Sequence, residues 1–265
     1  MFYGILLIYY DDYTWRAIEK FIEIVEQLAE NIEVVVVNNA QPGFWEAERA
    51  KCVEIGGDNR VREFTGWDRG IQYIAEHRAI REEDFFVFAN DTFCFHREWH
   101  ASSARRFIRA VAGLQARGGE GMCGEVNGFG KGFQLLGMDA DRWISTYLFG
   151  ATGSYIINSG CRLSLGEREL SSLVRGIVDN RILWGEAVDC NLQEHLQAWL
   201  FPPPGDSGWH GAEGKDNEAK LQKLRAILNE KYLSAACRKR GGIMVDSGVP
   251  RWLRLLGKGR RFLSV

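Results

Sequence analysis

The segment Asp84-Phe-Phe-Val-Phe-Ala-Asn-Asp-Thr-Phe93 runs through nearly continuous apolar positions and stops at the polar triplet Asn90-Asp91-Thr92. Such a run reads as a buried strand. It delivers an amide, a carboxylate and a hydroxyl to the strand's C-terminal end, the edge at which open α/β sheets bind ligands. Oxygen donors of this kind suit a hard cation, Mg²⁺ or Mn²⁺, with Asp91 as the expected ligand. The same triplet also makes a simple turn, since short polar side chains bond their own backbone. Further along, Trp184-Gly-Glu-Ala-Val-Asp-Cys-Asn-Leu192 holds a second pair of carboxylates. Helical spacing puts Glu186, Asp189 and Gln193 on one face and Val188, Leu192, Leu196 and Trp199 on another.

These groups need elements to carry them. Phe2 to Tyr10 reads as a first strand, followed by Asp11-Asp12 and a helix with Ile18, Phe21, Ile22, Val25 and Leu28 at helical spacing. Glu33 to Asn39 is a second strand, continuous in valine as expected when helices cover both faces. A loop with Pro42-Gly43 and Gly56-Gly57-Asp58-Asn59 leads to a short segment, Val61 to Phe64, and to a helix after Gly66 with Trp67, Ile71, Ile74 and Ala75 inward. The strand ending at Asn-Asp-Thr comes next. This alternation implies a parallel sheet with right-handed crossovers.

Beyond residue 95 the order is less regular. A helix passes through Phe107, Ile108 and Val111, and a glycine-rich stretch runs from Gly118 to Gly137. Asp141 to Phe149 reads as a helix end or a strand, and Ser154 to Asn158 as a strand. Leu170, Leu173, Val174, Ile177 and Val178 fit one helix, and another starts at about Glu186 and stops at Pro202-Pro203-Pro204-Gly205. Ala219 to Arg240 reads as a charged helix, followed by the apolar Ile243-Met-Val245.

Composition narrows the function. The chain of 265 residues is 46% hydrophobic, ample for a core, and its 33 basic and 35 acidic side chains nearly balance, so no nucleic-acid partner is indicated. Cys52, Cys94, Cys123, Cys161, Cys190 and Cys237 form no CxxC pair, which fits reduced, packed thiols in a cytosolic protein. His96, His100, His195 and His210 show no metal spacing and read as structural or solvent-facing. The first apolar run is too short to span a bilayer and lacks the basic start of a signal peptide. A dinucleotide site would need a Gly-x-Gly-x-x-Gly turn where Tyr9-Tyr10-Asp11-Asp12 stands, and no P-loop occurs. Asp11, Asp12 and Asp68 suit helix caps, and Asp11 is also a candidate for nucleotide contact. The tail Pro250 to Val265 joins basic residues to Trp, Leu and Phe without an acid, a composition that binds anionic membrane surfaces.

In their order along the chain, these motifs resemble the GT-A glycosyltransferases, especially bacterial family 2 enzymes and the rhamnan-synthesis-like branch. The resemblance rests on Ile8-Tyr9-Tyr10, on Asn38-Asn39, on Gly66-Trp67-Asp68-Arg69-Gly70-Ile71 and on Asn90-Asp91-Thr92. It is closest over residues 3 to 95, with Trp143 to Phe149 and Glu230-Lys-Tyr-Leu-Ser234 also similar. It departs from the usual Asp-x-Asp motif, because Ala89 stands where the first Asp would be. The resemblance implies a GT-A, Rossmann-like α/β fold with a mostly parallel central sheet, helices on both faces and a C-terminal helical acceptor or membrane-proximal region. It also implies a nucleotide-sugar site built from Tyr9, Tyr10, Asp11, Asn38, Asn39, Gly66, Asp68, Asn90 and Asp91, with Asp91 holding Mg²⁺ or Mn²⁺. Arg or Lys is the alternative for neutralising the leaving group.

An inverting transfer needs a carboxylate to take the acceptor's proton. The expected base is Glu186, then Asp189, then Glu230. The expected divisions are residues 1–120 for the nucleotide-sugar half, 121–249 for the acceptor half and 250–265 for the tail. Expected partners are a nucleotide sugar, a glycan or lipid-linked glycan acceptor and an anionic membrane surface, with the protein cytoplasmic and peripheral on the inner face. Two other readings stand beside this one. The first is a non-catalytic GT-A-like partner subunit, favoured by Ala89; the second is a sugar nucleotidyltransferase, whose Gly-rich basic first loop is absent after Ile8.

Overall fold

The computed structural model describes residues 1–40, 52–95, 99–203, 208–209 and 214–248. Pro42-Gly43, His96, Pro204-Gly205, His210 and the 250–265 tail lie outside the described residues.

The expected mixed α/β class, with a mostly parallel central sheet, is what the chain adopts. Strand β1 (Phe2–Ile8), helix α1 (Asp11–Val25), β2 (Ile32–Asn38), β3 (Cys52–Gly56), α2 (Glu63–His77) and β4 (Phe85–Asn90) form the first series. Then come α3 (Ala101–Arg117), β5 (Gly121–Asn127), the short β6 (Phe133–Leu135) and β7 (Met138–Ala140), β8 (Trp143–Thr152) and α4 (Gly153–Asn158). The chain continues through α5 (Glu167–Leu173), β9 (Val174–Val178), β10 (Arg181–Trp184), α6 (Cys190–Leu200), α7 (Asn217–Lys239) and β11 (Ile243–Asp246). Seven strands form one sheet in the order β11-β5-β8-β4-β1-β2-β3, so it draws strands from both sides of residue 120. Only β8 runs against its neighbours in that sheet, lying antiparallel between β4 and β5. The pairs β6–β7 and β9–β10 are separate antiparallel ribbons.

Period-two alternation divides the strand side chains between two cores. Tyr3, Ile5, Leu7, Val35, Val37, Phe86 and Phe88 face α2, α4, α5, α6 and α7. Leu6, Ile8, Val34, Val36, Phe85, Val87 and Ala89 face α1 and α3. Burial on both faces is why these strands read as continuous apolar runs. Helix α1 buries Ala17, Ile18, Phe21, Ile24 and Val25, a stripe at helical spacing.

Several expectations give way to tertiary context. The residues at 52–56 form an edge strand where a loop was expected; its Cys-Val-Glu-Ile-Gly sequence is only partly buried and gives a weak signal. Helix α2 starts at Glu63, ahead of Gly66. Ser154 to Asn158 is helical, with Thr152 capping the turn by accepting from the Tyr155 amide. The helix expected through Leu170 and Val178 breaks at Leu173, and Val174 to Val178 pairs with β10 as a ribbon, since its β-branched residues suit a strand. Helix α6 starts at Cys190, after Asp189.

Gly66 shows how tightly α2 is seated: a Cβ there would lie 2.0 Å from Leu7 Cδ1 on β1. Gly66→Ala is expected to cost about 1–3 kcal/mol by overpacking, read as a lower urea midpoint with an unchanged slope.

Candidate functional site

The chain steps from β1 outward to β2 and β3, then returns to place β4 on β1's other side. The β1–β4 boundary is therefore the topological switch point, outside whose C-terminal strand ends such sheets bind ligands. Ile8 pairs with Asn38 and Leu7 with Asn90, so three strands end at one level. That edge gathers Tyr9, Tyr10, Asp11, Asn38, Asn39, Asn90 and Asp91.

Asp91 closes the switch point from within. It is 2% exposed, and its Oδ2 accepts the Tyr9 and Tyr10 amides, each at 2.7 Å. Its own amide donates to the Leu7 carbonyl at 2.9 Å. Next to it, the Thr92 hydroxyl donates to Asn90 Oδ1 at 2.7 Å. The fixed turn presents the rings of Tyr9 and Tyr10, 44% and 45% exposed, edge to face with centroids 5.0 Å apart. From there an aromatic strip runs through Tyr13 to Phe95, stacked at 4.1 Å, and Arg16 lies over Phe95. Asp11 and Asp12 occupy the first turn of α1, where negative charge opposes the helix dipole favourably.

The second strand's pair is engaged differently. Asn38 is buried, donates to Glu54 Oε1 on β3 and accepts from the Ala40 amide. Asn39 donates to Asn59 Oδ1 and to the Arg62 carbonyl, both at 3.3 Å, while its Oδ1 is buried without a partner. Arg62, just before α2, adopts φ 48° and ψ −129°, a region that side chains other than glycine rarely enter. Its Nη2 donates to the Ala219 carbonyl at the start of α7. The Tyr10 phenol is raised by burial and by Asp91, and the Arg62 charge opposes that rise.

Two expected residues serve packing instead. Gly66 seats α2 on β1, as above. Asp68 is turned to the connection after α4, where it accepts the Leu163 and Ser164 amides and faces Arg162. Burial raises its carboxyl, and the hydrogen bonds from Ser164 and Leu163 and the Arg162 charge pull it back.

Glu186 and Asp189 sit on the connection between β10 and α6. The Gly185 and Ala187 amides donate to Leu173 and Ser172, and the Asp189 amide donates to Gln134. Glu186 projects into solvent, its side chain 94% exposed, with Arg175 at 3.3 Å. Asp189 caps α6 by accepting the Leu192 amide at 3.0 Å. No hydrogen bond joins either residue to the strand ends among the described residues.

A cluster around the start of β8 was only partly visible in the sequence. Glu230 on α7 accepts both the amide and hydroxyl of Thr146 through Oε2. Beside it Lys231 is 2% exposed, its Nζ 3.8 Å from the Trp143 ring centroid and 4.0 Å from Glu230 Oε1. His195 stacks on Phe129 at 4.3 Å, and burial together with Lys231 lowers its imidazole. The missed signal for Lys231 is periodicity: Leu224, Leu228, Lys231 and Ala235 fall on one buried helical stripe.

Asp91, the expected ligand of Mg²⁺ or Mn²⁺, stands at this edge with one carboxylate oxygen engaged by main chain. One Asp91 oxygen already holds two amides, Asn90 Oδ1 holds Thr92, and no group of three or more His, Cys, Asp or Glu able to hold a metal occurs among the described residues. Among the described residues no helix is long and apolar enough to cross a membrane.

No known protein family matches the chain, and no curated protein matches it in sequence. Among solved structures, it is similar to 4-diphosphocytidyl-2C-methyl-D-erythritol synthase, at 15% identity and TM-score 0.37 over 59% of this chain and 76% of that one. It is also similar to a mannosyltransferase from Pyrobaculum calidifontis in complex with GDP-Man and Mn²⁺, at 12% identity and TM-score 0.40 over 98% of this chain and 79% of that one. At these scores neither likeness assigns an activity or a ligand to this chain.

Two stability measurements test the geometry. Asp91→Ala strands the Tyr9 and Tyr10 amides and is expected to cost about 2 kcal/mol or more, read as a lower urea midpoint. Burial pushes Lys231 down from 10.5 to about 8, with Glu230 opposing and Lys223 adding to the drop. Between those values the unfolded chain binds more protons at this site than the folded one. The penalty for burying the charge is therefore full below about pH 8 and fades as pH rises toward 10.5. Lys231→Met is expected to be more stable than the parent at pH 7, with an advantage that shrinks across that window in urea titrations at stepped pH.

Proposed function

We propose that the chain is a GT-A-like glycosyltransferase, probed best as a nucleotide-sugar-dependent, inverting enzyme acting on a surface glycan of the lipopolysaccharide, O-antigen or capsule type. The observation that carries this reading is the switch-point edge, where Tyr9, Tyr10, Asp11, Asn38, Asn39, Asn90 and Asp91 meet at one level. Exposed aromatic rings beside amide and hydroxyl groups suit a base and ribose, which need stacking and a few placed hydrogen bonds. The Asp91 clamp holds the first turn ready for that ligand.

In the proposed transfer, Glu186 takes the proton of an acceptor hydroxyl as its oxygen attacks the anomeric carbon. The bond from that carbon to the diphosphate breaks on the opposite side, and its electron pair leaves with the phosphate oxygen. Glu186 is accessible to an acceptor arriving from solvent and sits on a turn fixed at both flanks, by Leu173 and Ser172. Asp189 positions the following helix. No step is assigned to Mg²⁺ or Mn²⁺; Asp91 Oδ2 already accepts two amides. The lipid-linked acceptor, the cytoplasmic setting and peripheral binding to an anionic membrane through residues 250–265 belong to the same proposal and rest on the sequence.

A second reading is a non-catalytic GT-A-like partner subunit of a glycan assembly complex. The engagement of Asp91 by main-chain amides favours it, because that carboxylate then serves the fold. Titration with a panel of nucleoside diphosphates, with and without Mn²⁺, separates the two: binding of none of them supports the partner subunit. For the enzyme, Glu186→Gln is expected to leave diphosphate affinity intact and to lower kcat about 10²- to 10⁴-fold. Unchanged turnover in that variant removes Glu186 from the mechanism.

A further inference from the structure

A departing nucleoside diphosphate gathers negative charge that some positive group must meet. The floor of the switch point carries the opposite sign, because Asp91 is buried there with its carboxylate on main-chain amides. Arg62 is tied to this edge through its carbonyl, which accepts the Asn39 side-chain amide. Its charge is felt at the Tyr10 phenol, and its Nη2 bridges to Ala219 on α7, so the guanidinium lies between the starts of α2 and α7.

Three features set Arg62 apart from a surface arginine. Its backbone holds φ 48° and ψ −129°, a region that a residue with a Cβ keeps only where surrounding structure enforces it. Asn39 contributes to that enforcement by donating its amide to the Arg62 carbonyl. The guanidinium's Nε is buried without a hydrogen-bond partner. Arg106 and Arg225 share that feature, yet Arg106 donates to Ser103 Oγ and Arg225 pairs with Glu167. Among the described residues Arg62 has no carboxylate partner, and its side chain donates to a peptide carbonyl. A planar fork of donors held out of its preferred backbone region, with donor capacity left over, is suited to a bidentate oxyanion.

We propose that Arg62 binds the diphosphate of the donor nucleotide and meets its developing charge as the sugar departs, in the place a divalent cation would take. This inference rests on the transferase reading and names the group that recognises its leaving group.

The test uses the full chain, isothermal titration with UDP, GDP, dTDP and the matching nucleosides, and thermal melting. Arg62→Gln is expected to weaken the best diphosphate about 10- to 100-fold while the matching nucleoside changes by less than about twofold. Arg62→Gly removes the same cation but relaxes the backbone, so it is expected to lose the same affinity while melting higher than the parent. Binding by the parent is expected to survive EDTA. Equal diphosphate affinity in the parent and Arg62→Gln overturns the inference, as does loss of the parent's binding in EDTA. A parent that binds no diphosphate at all rejects the transferase reading itself, a failure visible before any variant is made.

Discussion

One buried carboxylate organises the C-terminal edge of the central sheet. Removing Asp91 from water is unfavourable unless its charge is met, and the Tyr9 and Tyr10 amides meet it at 2.7 Å. Those amides belong to the turn after β1, whereas Asp91 follows β4, so the bonds tie together the two strands on either side of the switch point. The turn is thereby fixed before any ligand arrives, and the Tyr9 and Tyr10 rings are held outward. The same bonds engage Oδ2 of Asp91 with main chain, so this carboxylate serves the architecture of the edge.

Two costly features border this edge on the side of the sheet covered by α2 and α7. Lys231 is buried against Trp143 with an ammonium that burial makes easier to deprotonate, and Arg62 occupies a backbone region meant for glycine. Neither is what stability alone would select, since a methionine or a glycine would fit at lower cost. Natural sequences break local rules mainly where a site requires it. The bond from Arg62 to Ala219 and the bonds from Thr146 to Glu230 tie the start of α2 and strand β8 to α7.

The strands β1, β2 and β4 were legible because a sheet buried on both faces demands continuous apolar residues, and their polar ends mark where burial stops. Helix α1 was legible from helical spacing and α7 from its long run of charged residues. The segments misread were those in which one short apolar pattern serves two structures. Ser154 to Asn158 is apolar enough for a strand but is started as a helix by the Thr152 cap. Val174 to Val178 continues a helical stripe but pairs with β10. In both, a nearby partner, the next strand of a hairpin or a single capping bond, decided between near-equal local preferences.

The sequence by itself determined the class of the fold and the edge at which β1, β2 and β4 end, because burial dictates hydrophobic pattern and pattern dictates where strands end. It also determined which residue types reach that edge. Only the tertiary structure decided what each of them does there. Whether a carboxylate meets amides, a helix cap or open solvent depends on how the chain folds around it: Asp91 meets amides from a distant strand end, Asp189 caps the helix that follows it, and Glu186 is left in solvent. The strain at Arg62 is likewise invisible in its own residue type, since a backbone angle is set by everything packed around it.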